Sequence, residues 1–307
     1  MKCKKCRQEK AITHLPAHNL ALCRPCYSPW FLSNTQAAID RFKMFRPSDK
    51  ILIAVSGGKD SLALWHALTQ LGYTADGLYI HLGIGDETLA YSDRSLDATR
   101  KLSEQLGRPL RVTHVADEVG ATVPEIKVIT HRVACSGCGL TKRHLMNKVT
   151  ADSGYDVIAT GHNLDDEAAT LMGNVLHWEL DYMGRQSPVL EARQGFKRKV
   201  KPFCFFTEKE TTLYALVNRL EYIREECPFA VGASSLVYKD VLNRLEHESP
   251  GTKRMFFAGF LKSKTAFQGS QPEPDLQPCL RCGQPTTGEV CAFCRMTQRV
   301  REKKMAV

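Results

Sequence analysis

Ten of the twelve cysteines in this 307-residue chain stand in Cys-x2-Cys pairs, a spacing that serves metal binding or redox chemistry. Cys3/Cys6 and Cys23/Cys26 are separated by sixteen residues, and Cys279/Cys282 and Cys291/Cys294 by eight. Each pair turns two thiolates toward one point, and two pairs complete a tetrahedron, so each end of the chain predicts a four-thiolate zinc ribbon. Pro25 and Gly283 supply the residues that such tight turns need. Four cysteine ligands leave no open position, which makes both ions structural. The first residues, Met1 to Cys6, lack an export-signal hydrophobic region, so metal is expected here rather than disulfides.

A second feature is Ser56-Gly57-Gly58-Lys59-Asp60-Ser61. It follows the short β-branched run Ile51–Val55 and precedes helical spacing from Leu62 to Leu71. A strand, a glycine turn and a helix N-terminus aim backbone N–H groups at an anion. Lys59 and the serine hydroxyls add donors. A Walker loop is excluded, because it needs four residues between its first glycine and its Gly-Lys pair. The hexapeptide resembles the loop of the N-type ATP pyrophosphatases, which holds the pyrophosphate being expelled.

Cys135/Cys138 form the third set, with Cys227 far downstream. Three thiolates can ligate a cubane iron–sulfur cluster and leave its fourth iron open. A zinc completed by Cys204 or a histidine, and a catalytic disulfide pair, are the alternatives, and composition does not choose among them. Lys142 lies four residues after Cys138, on the same face of a helix.

These groups need a scaffold, and the pattern predicts an α/β fold with a doubly wound, mainly parallel sheet. Candidate strands are Ala75–His81, Leu110–Val115 and Asp156–Thr160, alternating with helical stretches at Ser92–Leu106 and Leu140–Ser153. Ligands of such sheets sit beyond the carboxyl ends of the strands. The hexapeptide, the turn Gly83-Ile84-Gly85 and the segment Thr160 to Glu167 are expected to meet there. Asp165, Asp166 and Glu167 open a helix predicted to run to Trp178, either as favourable N-terminal charges or as magnesium ligands. His81 and His162 read as loop histidines without a proton-transfer role. The proline-bearing stretch Gln271–Asp275 reads as a linker. Three parts result: a ribbon at 1–30, a catalytic domain at 31–268, and a second ribbon with a basic tail at 269–307.

The formal net charge of +9 points to a polyanionic partner. It falls to about +4 once two four-thiolate zinc sites and a three-thiolate cluster are included. The distribution of charge is therefore more informative than the total. Arg193, Lys197, Arg198, Lys199 and Lys201 form one basic run, and Arg295, Arg299, Arg301, Lys303 and Lys304 another, both read as phosphate contacts of an RNA. No apolar run is long enough to span a bilayer, so a cytoplasmic location without membrane contact is expected.

Taken together, the loop, Cys135/Cys138 with remote Cys227, and cysteine pairs at both ends resemble the TtcA/TtuA family of PP-loop tRNA 2-thiolation enzymes over essentially the whole chain. The paired ribbons resemble its tRNA-5-methyluridine 2-sulfurtransferases rather than its 2-thiocytidine synthetases. The fold implied is the adenine nucleotide alpha hydrolase-like PP-loop fold, flanked by the two ribbons. The resemblance implies a [4Fe–4S] cluster on Cys135, Cys138 and Cys227, and ATP with magnesium on Ala54, Ser56, Gly57, Gly58, Lys59, Asp60, Ser61, Ile80, Lys142 and Gly161. Asp60 and Lys142 match catalytically important positions, and the three cluster cysteines would hold the attacking sulfur. A tRNA substrate, a homodimer, and a ubiquitin-like carrier with a C-terminal thiocarboxylate or inorganic sulfide as donor are further implications. Competing readings are a cluster-free persulfide enzyme, thiolation of a wobble uridine or a cytidine, and an RNA-binding zinc-ribbon protein with a regulatory nucleotide site. Cys204 has no counterpart and reads as a buried, unreactive thiol.

Overall fold

The computed structural model describes residues 1–85, 90–131, 133–229, 234–267 and 275–305. The linker read at Gln271–Asp275 lies outside these residues, save Asp275. The chain begins with a hairpin of β1 (Thr13–Leu15) and β2 (Leu20–Leu22), set between the first two cysteine pairs. Helix α1 (Arg24–Arg41) starts inside the Cys23–Cys26 turn, with Pro25 in its first turn where the missing N–H is harmless. It continues past residue 30 into the core, so the ribbon and the catalytic domain share one helix.

Five parallel strands and one antiparallel edge strand make the central sheet. Its first half runs β3 (Ile51–Val55), α2 (Lys59–Gln70), β4 (Ala75–His81), α3 (Tyr91–Leu106) and β5 (Leu110–His114). Short helices α4 (Val115–Val119) and α5 (Val123–Thr130) lead into α6 (Ala134–Asp152) and then β6 (Val157–Thr160). After α7 (Leu164–Leu176) and α8 (Leu180–Arg185) come β7 (Val189–Leu190) and β8 (Arg198–Val200). The order across the sheet is β5-β4-β3-β6-β8-β7, with only β7 antiparallel. From β3 the chain winds outward to β5, then returns to the other side of β3. The crevice between the ends of β3 and β6 is therefore the topological switch point where ligands of such sheets bind.

Beyond the sheet, α9 (Glu208–Val217) packs on α2, and α10 (Ser234–Glu248) and α11 (Thr252–Ser263) pack on α7. The chain closes with the pair β9 (Gln277–Pro278) and β10 (Pro285–Thr286), followed by α12 (Ala292–Met305). No helix among the described residues is long and apolar enough to cross a membrane.

Two buried clusters cover the sheet. One joins α1, α2, α9 and the segment after β8, where Phe31 stacks on Phe206 at 4.0 Å and on Tyr214 at 4.2 Å. Each such fully buried aromatic contributes on the order of 2 kcal/mol of apolar burial, plus its ring contacts. The other unites Leu52, Leu78, Ile126 and Leu145 with Phe293, Met296 and Val300 of the C-terminal ribbon. Each ribbon is thus built into a core.

Two helices begin earlier than their apolar spacing suggests. α2 starts at Lys59 rather than Leu62, placing Lys59 and Asp60 in its first turn. α6 starts at Ala134 rather than Leu140, so Cys135 and Cys138 lie within the helix. Gly137 sits where a side chain would press on Ile126 at 3.2 Å, and the helix tolerates this glycine for that close packing. The strand read at Leu110–Val115 ends at His114, and Val115 opens α4 instead.

Candidate active site and metal centres

The hexapeptide is folded as an anion cradle by its own hydrogen bonds. The Ser56 N–H donates to Ser61 Oγ at 3.0 Å, and that hydroxyl donates to the Gly58 carbonyl at 3.0 Å. Gly57 has φ +77°, and a Cβ there would fall 2.5 Å from the Ser95 carbonyl oxygen, so only glycine fits. Gly161, at the end of β6, packs against the loop backbone: a Cβ on it would stand 2.8 Å from Asp60 C and Ser61 N. The ends of β3 and β6 are thereby held backbone to backbone at the switch point. Ala54 in β3 and Ile80 in β4 lie at the ends of adjacent strands. Next to Gly161, the Asn163 amide nitrogen is buried without an acceptor among the described residues. A pre-formed loop, a glycine cradle and an unsatisfied donor suit a phosphorylated ligand.

Charged side chains around the loop are paired in a chain. Lys59 Nζ is 2.6 Å from Glu208 Oε1 and 3.1 Å from Asp60 Oδ2, and the Thr211 hydroxyl donates to the other Asp60 oxygen. Burial opposes the Lys59 charge, but Asp60 and Glu208 overcome it and raise its pKa. Burial pushes the Asp60 carboxyl up, with Lys59 and Thr211 holding it partly back. The acidic triplet opens α7 as expected, and each member meets its own lysine. Asp165 pairs with the buried Lys253 at 2.5 Å, Asp166 with Lys239 at 2.6 Å, and Glu167 with Lys201 at 2.7 Å. Asn163 and Asp166 also form a reciprocal capping box. His162 accepts from or donates to Thr160 Oγ1 at 2.8 Å, and burial, helped by Lys201, lowers its pKa to about 4.

Glu208, Thr211 and Lys239 were not among the residues singled out by sequence. A signal for the first two exists: Thr207-x2-Glu210 is a capping box, which marks the start of α9 and puts both residues in its first turns. Lys239 carries no sequence signal; only folding brings α10 to α7.

The terminal cysteines gather as spacing predicts. Cys3, Cys6, Cys23 and Cys26 have Sγ atoms within 4.8 Å of one another, and so do Cys279, Cys282, Cys291 and Cys294. Cys6–Cys23 and Cys282–Cys291 are each 3.7 Å apart. A tetrahedron with metal–sulfur bonds of about 2.3 Å has edges of about 3.8 Å, so both quartets fit a single four-coordinate ion. Burial opposes the Cys3 and Cys279 thiolates, yet surrounding backbone N–H groups bring each to about 6.

Cys135, Cys138 and Cys227 approach one another less tightly. Cys138 is pushed up by burial, pulled back by Lys142, and feels the charges of Cys227 and Cys135. Cys135 donates to the Phe229 carbonyl at 3.3 Å, which brings the Cys227 segment over the start of α6. Burial pushes the hydroxyl of Tyr91, at the start of α3, up to about 12, with the nearby charges of Cys227 and Cys138 adding to it. Three thiolates set wider than a single ion would hold them suit a cluster, whose irons stand apart. Cys204 is fully buried, and burial raises its thiol far above the usual range.

The two basic runs do not form two simple faces. In the first, Lys201 is bound to Glu167 and Arg198 to Glu191, while Lys199 is pushed inward and lowered to about 8 by burial and by Lys201 and Arg143. In the second, α12 uses Arg301, Lys303 and Lys304 to hold α4 and α5 through Glu118 O, Ile129 O and Glu125. The folding contacts thus absorb part of the charge expected to meet RNA.

Comparison with known proteins sets this geometry in a family. Residues 31–224 match the PP-loop domain, and residues 2–28 match the N-terminal LIM domain of 2-thiouridine synthetase TtuA. The tRNA-5-methyluridine(54) 2-sulfurtransferase of Thermus thermophilus is 48% identical over 98% of this chain and 92% of its own length. That of Pyrococcus horikoshii is 43% identical over 96% and 93%. The U34-tRNA thiolase NcsA of Methanococcus maripaludis, solved with its [4Fe-4S] cluster, superposes with a TM-score of 0.80 at 26% identity, covering 97% of this chain and 96% of that one. With its PP-loop at the switch point and a gathered cysteine quartet at each end, the chain belongs to the PP-loop family of tRNA 2-sulfurtransferases.

Proposed function

We propose that this chain is an ATP-dependent tRNA uridine 2-sulfurtransferase acting in the cytoplasm, where its two substrates meet, and that its target is the 5-methyluridine at position 54 named in its most similar relatives. The observation that carries this reading is the phosphate loop at the switch point, joined through the sheet to the helix that bears Cys135, Cys138 and Lys142. In the first half-reaction the uridine O2 attacks the α-phosphorus of ATP. The bond to the β-phosphate oxygen breaks, pyrophosphate leaves with the electron pair, and N3 gives up its proton. Loop N–H groups and Lys59 hold the departing pyrophosphate, Lys142 meets the α-phosphate, and a magnesium ion bound with the ATP would offset the pyrophosphate charge. Asp60, whose carboxyl burial pushes up, stands beside Lys59 in the first turn of α2. In the second half-reaction a sulfur nucleophile adds at C2, the C2–O bond breaks, and AMP departs with the oxygen. The base leaves with sulfur in its place.

Cys135, Cys138 and Cys227 are the residues that would hold a [4Fe–4S] cluster, which when bound supplies an open iron for the incoming sulfide. Lys142, one helical turn after Cys138, joins the two half-reactions on one face of α6. The two terminal quartets take zinc, as their all-thiolate sets prefer. A homodimer supplied with sulfur by a thiocarboxylated ubiquitin-like carrier, or by inorganic sulfide, completes the reading. Mass spectrometry of tRNA nucleosides from cells with and without the gene tests it: 5-methyl-2-thiouridine should disappear on deletion. Loss of a different thionucleoside would move the position. An unchanged nucleoside profile would remove the activity. Anaerobically purified protein that is colourless, iron-free and fully active would remove the cluster.

A further inference from the structure

The ammonium group of Lys239 and that of Lys59 share one carboxylate. Glu208 Oε1 is 2.6 Å from Lys59 Nζ, and Glu208 Oε2 is 3.5 Å from Lys239 Nζ. Lys239 comes from α10, remote in sequence from the loop, and its other contact is Asp166 Oδ1 at 2.6 Å. A carboxylate that bridges two cations through two oxygens occupies them as two oxygens of a phosphate would. Glu208 is suited to leave: it is the first residue of α9, its side chain is 40% exposed, and its position holds it by one ion pair and one looser contact. Lys59 and Lys239 are each only 22% exposed and face three carboxylates, Asp60, Asp166 and Glu208. A polyphosphate added to all three would meet net repulsion, and Glu208, the most exposed of the three, is the one placed to withdraw.

From this geometry we infer that Lys239 is a second phosphate-binding cation of the nucleotide site. The terminal phosphates displace the Glu208 carboxylate and take both ammonium groups, Lys59 from the loop and Lys239 from α10. Neither lysine gives up a proton. As the bond between the α-phosphorus and the bridging oxygen breaks, its electron pair moves onto the pyrophosphate, and two fixed cations meet the added charge rather than one. Burial opposes the Lys239 charge, but Asp166 and Glu208 keep it protonated. The inference rests on the proposed nucleotide reading of the loop.

The test is calorimetric titration of the full, metal-loaded chain with inorganic pyrophosphate and with ATP, with and without magnesium. Lys239→Met should weaken pyrophosphate about tenfold or more, and Lys239→Arg should return it to within about threefold of wild type. Glu208→Gln should tighten pyrophosphate in the absence of magnesium, because the internal competitor is gone. Lys239→Met that binds as wild type overturns the inference. So does an equal loss in Asp166→Asn, which removes the docking partner but not the ammonium. Glu208→Gln that weakens binding only with magnesium present would make Glu208 a metal ligand and overturn its displacement. Wild-type protein that binds neither ligand overturns the nucleotide reading itself, and this inference with it.

Discussion

Replacing Lys253 by methionine tests how the helix pair α10–α11 is held to the nucleotide half of the site. Lys253 is 2% exposed, and its ammonium lies 2.5 Å from Asp165 Oδ1 and donates also to the Asn243 side-chain carbonyl. Asp165, 3% exposed, uses its second oxygen to accept from the Glu208 N–H at 2.8 Å. The pair itself is weak evidence of stability, because two charges lose hydration to form it. Breaking it is different. Lys253→Met leaves a buried carboxylate with one N–H donor and no ion-pair partner in contact, a loss of about 3–5 kcal/mol. Since α11 and α10 meet the rest of the protein chiefly through α7, the loss falls on their local opening rather than on the whole chain. At about 1.4 kcal/mol per tenfold, their protected amides should exchange about a hundredfold to a few thousandfold faster, while amides of β3 and β4 stay as they were. Lys253→Met with Asp165→Asn removes both charges and keeps an acceptor for the Glu208 N–H. It should recover about 2 kcal/mol of the loss, a coupling within the range seen for contacting residues. Hydrogen exchange with mass-spectrometric readout measures all three proteins. Unchanged exchange in α10–α11 of the single variant, or additive losses in the double, would refute this reasoning.

Three further outcomes follow from other parts of the structure. Lys199 has a folded pKa of about 8, below its ordinary 10.5, so the folded state holds fewer protons between those values, and stability rises with pH through that window. Lys199→Met should therefore stabilise most below pH 8, by up to about 3 kcal/mol, and the gain should vanish above about pH 10.5; denaturant melts with the same pH slope as wild type would contradict this. Gly161→Ala, whose Cβ would stand 2.8 Å from Asp60 C, should shift the phosphate loop and weaken ATP by tenfold or more in titration, with the cysteine quartets still metal-loaded; wild-type affinity would show that the loop can give way. Met296→Ala opens a hole beside Gly137, between Cys135 and Cys138, and should lower the iron-to-protein ratio after anaerobic desalting, with Met296→Leu restoring it. Equal iron in all three proteins would remove Met296 from the cluster's support.

Much of the site was legible because it is local. Ser56 to Ser61 writes its own loop, and each Cys-x2-Cys pair writes its own turn. The parallel strands were legible too, since short apolar runs between turn residues admit few other readings. What was not legible depends on partners far away in sequence. Lys239 and Lys253 look like ordinary surface lysines on amphipathic helices until α7 turns Asp165 and Asp166 toward them. Lys199 and Lys201 look like part of an RNA-binding run until β8 joins the sheet and turns them inward. The early starts of α2 and α6 were hidden because both helices begin on polar or small residues ahead of their apolar spacing, where Gly58 caps one and Gly137 lets the other pack on Ile126.

The two ribbons make different contacts. In the N-terminal one, His18 meets Glu210 at 2.8 Å, Tyr27 donates to the Glu210 carbonyl at 2.8 Å, and Arg24 donates to the Val217 carbonyl at 3.0 Å. All three fix α9, whose first turns carry Glu208 and Thr211 against Lys59 and Asp60. In the C-terminal one, Phe293 stacks on His144 at 3.8 Å, Met296 abuts Gly137, and the end of α12 ties down α4 and α5. These fix α6, which carries Cys135, Cys138 and Lys142. A helix that presents charged or thiolate groups to an open site has only its far side left for packing. Each ribbon covers such a far side: the N-terminal quartet stands behind α9 and the C-terminal quartet behind α6. On the proposed reading, metals held by the quartets would be remote from the chemistry and still set its geometry, each through a single helix.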